Sequence, residues 1–259
     1  MTGTERPVLT EAGGGMLVVT LNRPEARNAV DRATAEAVTA ALDRLDNDDD
    51  LLVGVLTGAG PGFSAGMDLK ALVRGESSFI GRRGFAGLTE AGCRKPIIAA
   101  IEGFALAGGL ELALACDIIV AARGARLGLP EVKRGLYAAA GGLLRLPRRI
   151  NAGDAAILAL TGGDIDAEEG YRLGLVNRLT EPGEALAEAR RIAEAIARNA
   201  PLAVIGTKRV LVESYAHPEP EFWEWQRAQE DLRAILTSKD AIEGATAFAE
   251  KRGPRWLGA

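Results

Sequence analysis

Hydrophobic residues along this 259-residue chain fall into short apolar runs that alternate with longer amphipathic stretches. Two runs near the start, residues 8–11 and 16–21, predict strands joined by a tight turn through the three glycines at 13–15. Further strands are predicted over residues 51–57, 97–102 and 117–122, with a short late strand over 175–178. Helical periodicity follows the middle strands after short connections. This rhythm predicts an α/β fold.

The helical stretches show the spacing of amphipathic helices. Asp31 is a good N-cap for a helix over residues 32–46. The predicted apolar stripe of that helix consists of Ala33, Ala37, Ala40, Ala41 and Leu45. Helices are also predicted over 67–73 and 107–116. From residue 141 onward the pattern is mostly helical, with helices predicted over 142–150, 152–160, 167–173, 182–198, 201–214, 221–236 and 239–251.

The C-terminal helices must bury their apolar faces, either on their own domain or on a neighbouring subunit. The helix over 182–198 has such a face, formed by Leu186, Ala189, Ile192, Ala193 and Ile196. No Ser- or Pro-rich linker interrupts the chain. We therefore expect a single compact chain, with a core over residues 1–195 and a C-terminal helical region over residues 196–259.

Composition and charge exclude several classes of protein. Hydrophobic residues make up 47% of the chain, and 31 scattered Lys and Arg residues against 35 Asp and Glu residues give a net charge of −4. This pattern argues against a nucleic-acid-binding surface. The apolar runs are too short to cross a bilayer, and the N-terminus lacks a signal-peptide pattern. Cys93 and Cys116 show neither metal-ligand nor disulfide spacing. We expect a cytoplasmic protein with reduced cysteines, no metal site and no membrane partner.

Two turns rich in small residues carry the candidate chemistry. Residues 62–70 read GFSAGMDLK and residues 103–112 read GFALAGGLEL, and each joins a predicted strand to a predicted helix. Small residues let the backbone turn sharply and let a ligand approach closely. The first turn of a helix also offers backbone N–H groups that have no intrahelical acceptor. The N–H of Met67 and one from the second helix start are therefore predicted to converge on one oxyanion, while Asp68 and Lys70 have the character of helix-start and solvent residues.

Two carboxylates accompany these turns. Glu111 lies about one turn into the second helix, and Glu131 follows Pro130 at another predicted helix start. The intervening strand over 117–122 leaves enough chain to bring Glu131 back over Glu111. Paired carboxylates can hold one water, one accepting its proton while the other donates a proton elsewhere. Taken singly, each glutamate also fits a helix-start or surface role.

Residues 62–66 also satisfy G-x-S-x-G, the nucleophile elbow of α/β hydrolases, with Ser64 as the serine. A catalytic triad would need a histidine after an acid. The only histidine, His217, lies in a predicted connection between helices and has no oxyanion motif near it. The serine-hydrolase interpretation is therefore the weaker one.

Taken together, these segments closely resemble the crotonase, or enoyl-CoA hydratase/isomerase, superfamily. The similarity covers nearly the whole chain. It includes residues 21–28 (LNRPEARN), both turns, and the segments 129–131 (LPE), 140–142 (AGG), 174–177 (GLVN) and 247–252 (AFAEKR). The resemblance implies a crotonase-like spiral of ββα repeats with a C-terminal helical region that packs in trimers, often as a dimer of trimers. It also implies an acyl-CoA thioester as the substrate, and no cofactor besides the CoA that is part of that substrate.

By position, the resemblance assigns the backbone N–H groups of Met67 and Gly108 to an oxyanion hole for the thioester carbonyl. It implies that Glu111 orients and deprotonates a water and that Glu131 supplies a proton to the α-carbon, with the two roles partly shared. Contacts to CoA or to the substrate are implied for Ala26, Ala65, Met67, Asp68, Leu69, Lys70, Gly108, Phe248 and Lys251. Phe248 and Lys251 would approach the CoA from the C-terminal region, across a subunit boundary.

The reaction that the resemblance implies is syn addition of water to a trans-2-enoyl-CoA, in fatty-acid or related acyl-CoA metabolism. Residues 72–95 and 133–144 are expected to line the acyl pocket. Ala107 stands where many hydratases have a glycine, residues 137–139 replace a common Pro-Gly turn, and Lys133 and Arg134 replace aliphatic residues. The sequence therefore does not determine which acyl group the substrate contains. A carnitinyl-CoA-type dehydratase or another crotonase lyase or isomerase is one alternative, and a non-catalytic acyl-CoA-binding subunit is another.

Overall fold

The apolar runs of the sequence form two sheets in the computed structural model, which describes residues 6–259. Residues 1–5 lie outside the described residues. They include the start of the predicted core and the start of the N-terminal segment that is predicted to lack a signal peptide. The larger sheet contains, in spatial order, β1 (Val8–Gly13), β2 (Met16–Leu21), β3 (Val53–Gly58), β4 (Ile97–Ile101), β6 (Ile118–Ala122) and β9 (Arg178–Thr180). The smaller sheet contains β5 (Phe104–Leu106), β7 (Arg126–Gly128) and β8 (Asp164–Asp166). All neighbours in the larger sheet run parallel, except the antiparallel hairpin of β1 and β2.

The helices follow the predicted order. They are α1 (Arg32–Asn47), α2 (Leu69–Val73), α3 (Gly108–Ala115), α4 (Gly142–Arg149), α5 (Ala152–Thr161), α6 (Ala167–Leu173), α7 (Ala185–Ala197), α8 (Pro201–Glu213), α9 (Glu219–Ala228), α10 (Glu230–Ile235) and α11 (Lys239–Ala249). Asp31 caps α1 by accepting a hydrogen bond from the N–H of Thr34, as the sequence predicts. Asn151, Asp166 and Ser238 cap α5, α6 and α11 in the same way.

A repeated unit builds the chain: a strand of the larger sheet, a short strand of the smaller sheet, then a helix. The segment from β4 through β5 to α3 is one such unit, and β6 and β7 lead into the 3-10 helix Pro130–Arg134 in the same manner. The α/β prediction is thus confirmed. The sequence missed β5, β7 and β8 because each has only three residues, too few to show an alternating pattern.

Alternation along the strands of the larger sheet divides the core in two. Leu17, Val19 and Leu21 of β2 belong to the main core, whereas Met16 and Val18 belong to a second core on the other face. Helix α7 closes the second core with Ala185, Ala189 and Ala193. The apolar face predicted for this helix is therefore buried largely against its own chain.

Several predicted elements differ from the structure in detail. Ala33 and Ala40 of α1 are exposed, because the larger side chains of Val38 and Leu42 determine which face is buried. Helix α2 begins at Leu69 rather than at residue 67. The late strand occupies 178–180 instead of 175–178, and the helix predicted over 221–236 breaks at Gln229, whose backbone is extended (φ −82°, ψ 103°).

The division into a core and a C-terminal helical region stays a prediction, and its boundary at 195/196 lies inside α7. The region from α8 to α11 exposes several large apolar side chains, among them Leu211, Leu236, Ile242 and Phe248. Within residues 6–259, every helix is too short or too polar to cross a membrane.

Candidate active site

The two small-residue turns meet at one point of the fold. Gly66 has a φ of +89°, and a β-carbon there would lie 2.6 Å from the backbone nitrogen of Gly108. A β-carbon on Gly109 would overlap the carbonyl oxygen of Ser64. Only glycines allow this approach of two backbones, so the small residues at these positions bring the turns together.

Two backbone N–H groups at this junction have no acceptor among the described residues. Gly66 and Asp68 pair with Val30 as in a parallel strand: the N–H of Val30 donates to the Gly66 carbonyl (2.8 Å), and the N–H of Asp68 donates to the Val30 carbonyl (3.0 Å). The N–H of Met67, between them, is not used in this pairing. Gly108 is the first residue of α3, and its N–H is unused as well.

The Met67 N–H is therefore available for a different reason than the sequence predicts. Met67 is not at a helix start, because Asp68 is the N-cap of α2 and accepts from the N–H groups of Lys70 and Ala71. Pairing with Val30 leaves the Met67 N–H unpaired instead. The expectation for Gly108 holds, since α3 begins there.

Ala107, which caps α3, has an unusual backbone conformation (φ +52°, ψ −131°). Glycine adopts this region readily, but a β-carbon strains it. The chain keeps the turn at this position even though the residue is not glycine. Its N–H donates to the carbonyl of Gly128 (3.0 Å), which ties the turn to β7.

A cavity of about 330 Å³ opens beside the junction. Its walls are mostly apolar and include Leu69, Phe79, Phe85, Leu106 and Leu136. Six predicted site residues line it: Ala65, Met67, Leu69, Gly108, Glu111 and Glu131. The other five, Ala26, Asp68, Lys70, Phe248 and Lys251, do not line it. The 72–95 and 133–144 segments also contribute to its lining, through Phe79, Phe85, Arg134, Leu136, Tyr137, Ala139 and Ala140.

Glu111 is held rigidly. Its side chain is buried, and Oε1 accepts hydrogen bonds from the N–H groups of Ala140 and Gly142, each 2.8 Å long. Gly142 is the first residue of α4, so the carboxylate lies at a helix N-terminus. Burial raises the pKa of Glu111, while these two hydrogen bonds and the charge of Arg145 oppose the increase. Oε2 has no hydrogen-bond donor in the described part of the chain.

Glu131 differs from Glu111 in having no hydrogen-bond partner for either carboxyl oxygen among residues 6–259, although both oxygens are buried. Burial, together with the neighbouring charge of Glu111, raises the pKa of Glu131 to about 7. Near neutral pH the carboxyl is therefore both protonated and ionised in comparable amounts. A group with this pKa can donate and accept a proton in each cycle.

Sequence reasoning missed Arg27, which also lines the cavity. Its guanidinium lies 4.5 Å from the centre of the Phe104 ring, and its backbone is left-handed (φ +56°). In the sequence, the only feature that could have marked Arg27 as a site residue is its position inside the 21–28 segment. Arg134 is a second cation at the cavity and forms no ion pair with a described residue.

The alternative chemistry at Ser64 has no support in the geometry. Ser64 is fully buried, and its hydroxyl donates to the Asn28 carbonyl (2.8 Å) and accepts from the N–H of Gly66 (3.1 Å). His217, the only histidine, stacks instead on Trp225, with ring centres 5.7 Å apart. Ser64 thus holds the turn. Across the described residues there is no cluster of three or more His, Cys, Asp or Glu side chains placed to hold a metal ion.

Comparison with known proteins gives one consistent result. The sequence profile of the family described as enoyl-CoA hydratase/isomerase matches residues 11–259. A carnitinyl-CoA dehydratase of Salmonella typhi is 41% identical over 251 residues, which are 95% of this chain and 96% of that protein. The crystal structure of enoyl-CoA hydratase EchA1 from Mycobacterium marinum has a TM-score of 0.95 and 54% identity, covering 98% of this chain and all of the other. The structure of a carnitinyl-CoA hydratase from Mycobacterium avium has a TM-score of 0.78 and 41% identity, covering 99% and 100%.

Proposed function

The chain belongs to the enoyl-CoA hydratase/isomerase family, and from that premise we propose that it is an enoyl-CoA hydratase. The spiral α/β fold expected from the resemblance is the fold of its solved relatives. One observation carries the proposal: two buried carboxylates, Glu111 and Glu131, line the same cavity as two unpaired backbone N–H groups. That set provides an acid, a base and an oxyanion site.

The N–H groups of Met67 and Gly108 would donate hydrogen bonds to the thioester carbonyl oxygen of a trans-2-enoyl-CoA. Addition of water at the β-carbon turns this carbonyl into an enolate-like oxyanion. Hydrogen bonds to that oxygen strengthen as its charge grows, and one such donor contributes about 3–4 kcal/mol in other enzymes. The close contact of the two turns fixes the spacing of the donors in the absence of substrate.

The two carboxylates divide the proton transfers. Glu111, with Oε1 fixed by two N–H groups, would orient water through Oε2 and take one of its protons as the oxygen bonds to the β-carbon. Glu131, with a pKa of about 7, would give its proton to the α-carbon. The product is a 3-hydroxyacyl-CoA. A proton must then pass from Glu111 to Glu131 to restore the starting state, so the roles are partly shared.

CoA belongs to the substrate, and the proposed reaction uses no separate cofactor and no metal. We further propose a homotrimer or a dimer of trimers. The large apolar side chains left exposed on α8 to α11 support it. Phe248 is 87% exposed and does not line the cavity of its own chain, which favours a contact with CoA bound to a neighbouring subunit, as for Lys251. Ala26, Asp68 and Lys70 lie outside the acyl cavity, and their proposed contacts are with the CoA portion.

A carnitinyl-CoA-type dehydratase is the second candidate, because the relatives named so are 41% identical over nearly the whole chain. Two observations favour the hydratase. Structures named enoyl-CoA hydratase reach 52–54% identity. Arg27 and Arg134 also line the cavity, and their positive charges would repel the quaternary ammonium of a carnitinyl group.

The test is a substrate screen with matched variants. Enoyl-CoA esters of increasing chain length and crotonobetainyl-CoA would be incubated with wild type, E111Q, E131Q and the exposed control E36Q. We expect hydration of enoyl-CoA by wild type and E36Q, and a loss in kcat of about 100-fold or more for each site variant. Absence of hydration with every ester, or full rates in both site variants, would refute the proposal. Tight binding without turnover would indicate a non-catalytic acyl-CoA-binding subunit.

A further inference from the structure

We propose that Arg145 is a positioning residue that locks Glu111 and the wall of the cavity beside Gly108 into one arrangement. The proposal rests on the function proposed above. Arg145 is half-buried on α4, and its guanidinium bridges two backbone segments. Nη1 donates to the Ala140 carbonyl (3.4 Å), and Nη2 donates to the Thr89 carbonyl.

The first segment is the turn that holds Glu111. Ala140 and Gly142 donate the two hydrogen bonds to Oε1 of Glu111, and Gly141 lies between them with a φ of +94°. A β-carbon on Gly141 would overlap Nη1 of Arg145, so the guanidinium lies directly on this turn. Its planar fork therefore supports the backbone that orients the carboxylate.

The second segment forms the wall beside Gly108. The Thr89 hydroxyl accepts from the N–H of Phe85 (2.9 Å), and the Phe85 ring packs on Gly108, where a β-carbon would lie 2.9 Å from the ring. Arg145 thus connects, through Thr89 and Phe85, to the residue whose N–H is proposed to bind the oxyanion. A single side chain couples the carboxylate and the oxyanion donor.

The charges around Glu111 agree with this role. The charged groups that face Glu111 are Glu131, from the 3-10 helix, and Arg145, from α4; Arg148 and Arg149 follow on α4 and act on Arg145. Arg145 forms no salt bridge with any carboxylate that the structure describes, so its charge is free to act on Glu111. That charge lowers the pKa of Glu111 against the effect of burial.

The variants that test the role are R145M, which removes the charge and the fork, and R145K, which keeps the charge. R148M is the matched control, since Arg148 is exposed on the same helix and does not line the cavity. For R145M we expect kcat to fall by about 10- to 100-fold with KM changed by less than about threefold. The acid limb of the pH–activity profile of R145M should move to higher pH, because the pKa of Glu111 rises when its carboxylate loses a stabilising positive charge. R145K should lose kcat without moving that limb, and R148M should match wild type.

A double-mutant cycle shows whether Arg145 acts through Glu111. If it does, E111Q/R145M is no slower than E111Q. Unchanged kcat and pH profile in R145M, or additive losses, would overturn the proposal. A structural role alone would lower the melting temperature and leave both kinetic readouts unmoved. If R145M does not fold, wild-type kcat in R145K overturns it.

Failure of the proposed function is distinguishable from failure of this inference. If wild type hydrates no enoyl-CoA, the pKa of Glu111 can still be measured by NMR of carboxyl-¹³C-labelled glutamate, with the signal assigned by its loss in E111Q. A higher pKa in R145M than in wild type supports the positioning role. An unchanged pKa overturns it.

Discussion

Replacing Glu131 by glutamine should change how stability depends on pH. The ionised carboxylate is buried without a hydrogen-bond donor among residues 6–259, so folding favours its protonated form. The pKa of Glu131 rises from an ordinary 4.5 to about 7 in the folded protein. Between these two values the native state binds more protons than the unfolded state. The stability of wild type must therefore fall as pH rises through this window.

The size of the effect follows from the same values. An increase from 4.5 to about 7 corresponds to about 3.5 kcal/mol at about 1.4 kcal/mol per pH unit. Glu131 lines an open cavity, and solvent entering it would partly screen the charge, so we expect about 1–2 kcal/mol. Glutamine does not titrate, so the contribution of residue 131 to the pH dependence is present in wild type alone. E131Q should accordingly gain about this much stability over wild type between pH 4.5 and pH 7.5.

Urea unfolding of both proteins at fixed protein concentration, in half-unit steps from pH 4.5 to 8, measures this difference directly. The gap should widen up to about pH 7 and then stay constant. E111Q offers a second comparison, because loss of the neighbouring negative charge should reduce the pH dependence due to Glu131. A stability difference between wild type and E131Q that does not vary with pH, or that narrows as pH rises, would rule out a raised pKa of Glu131 in the folded protein.

Three other changes test separate parts of the structure. A107G should raise the free energy of unfolding by about 0.5–1 kcal/mol, because glycine relieves the strain at φ +52° and ψ −131°; thermal unfolding measures it, and a destabilised A107G would contradict the assigned strain. S64A should cost about 1–2 kcal/mol of stability through two lost hydrogen bonds and leave kcat within about threefold; inactivation, or labelling of Ser64 by a fluorophosphonate, would revive the hydrolase interpretation. R134M should improve kcat/KM for crotonobetainyl-CoA relative to crotonyl-CoA by about 10-fold, and an unchanged ratio would remove Arg134 from substrate selection.

Most of the fold can be predicted from local sequence patterns. Short continuous apolar runs identify β2, β3 and β4, and Asp31 identifies the start of α1. The three-residue strands of the smaller sheet carry no such pattern. They form because β4 and β6 deliver the chain to the same place in successive turns of the spiral. The break at Gln229, between α9 and α10, is likewise not marked by a proline or a glycine in the sequence.

The site was predictable in its residues but not in its geometry. The small-residue turns and the two glutamates are visible in the sequence. The Met67 N–H is left unpaired because its neighbours pair with Val30, which lies 37 positions earlier in the chain. Glu111 is fixed by the turn at Ala140 and Gly142, which lies 29–31 positions later. Such long-range hydrogen bonds leave no periodic signal. Arg145 is invisible for the same reason, since its partners include the Thr89 carbonyl 56 positions away.

In the proposed reaction, two carboxylates in one cavity add water to an enoyl thioester held by two N–H groups. The most direct measurement is hydration of crotonyl-CoA in D₂O, followed by NMR assignment of the deuterium at the α-carbon relative to the new hydroxyl. Because Glu111 and Glu131 line the same cavity, we expect one product, with deuterium and hydroxyl added to the same face. A mixture of diastereomers, anti addition, or the absence of any hydrated product would contradict it.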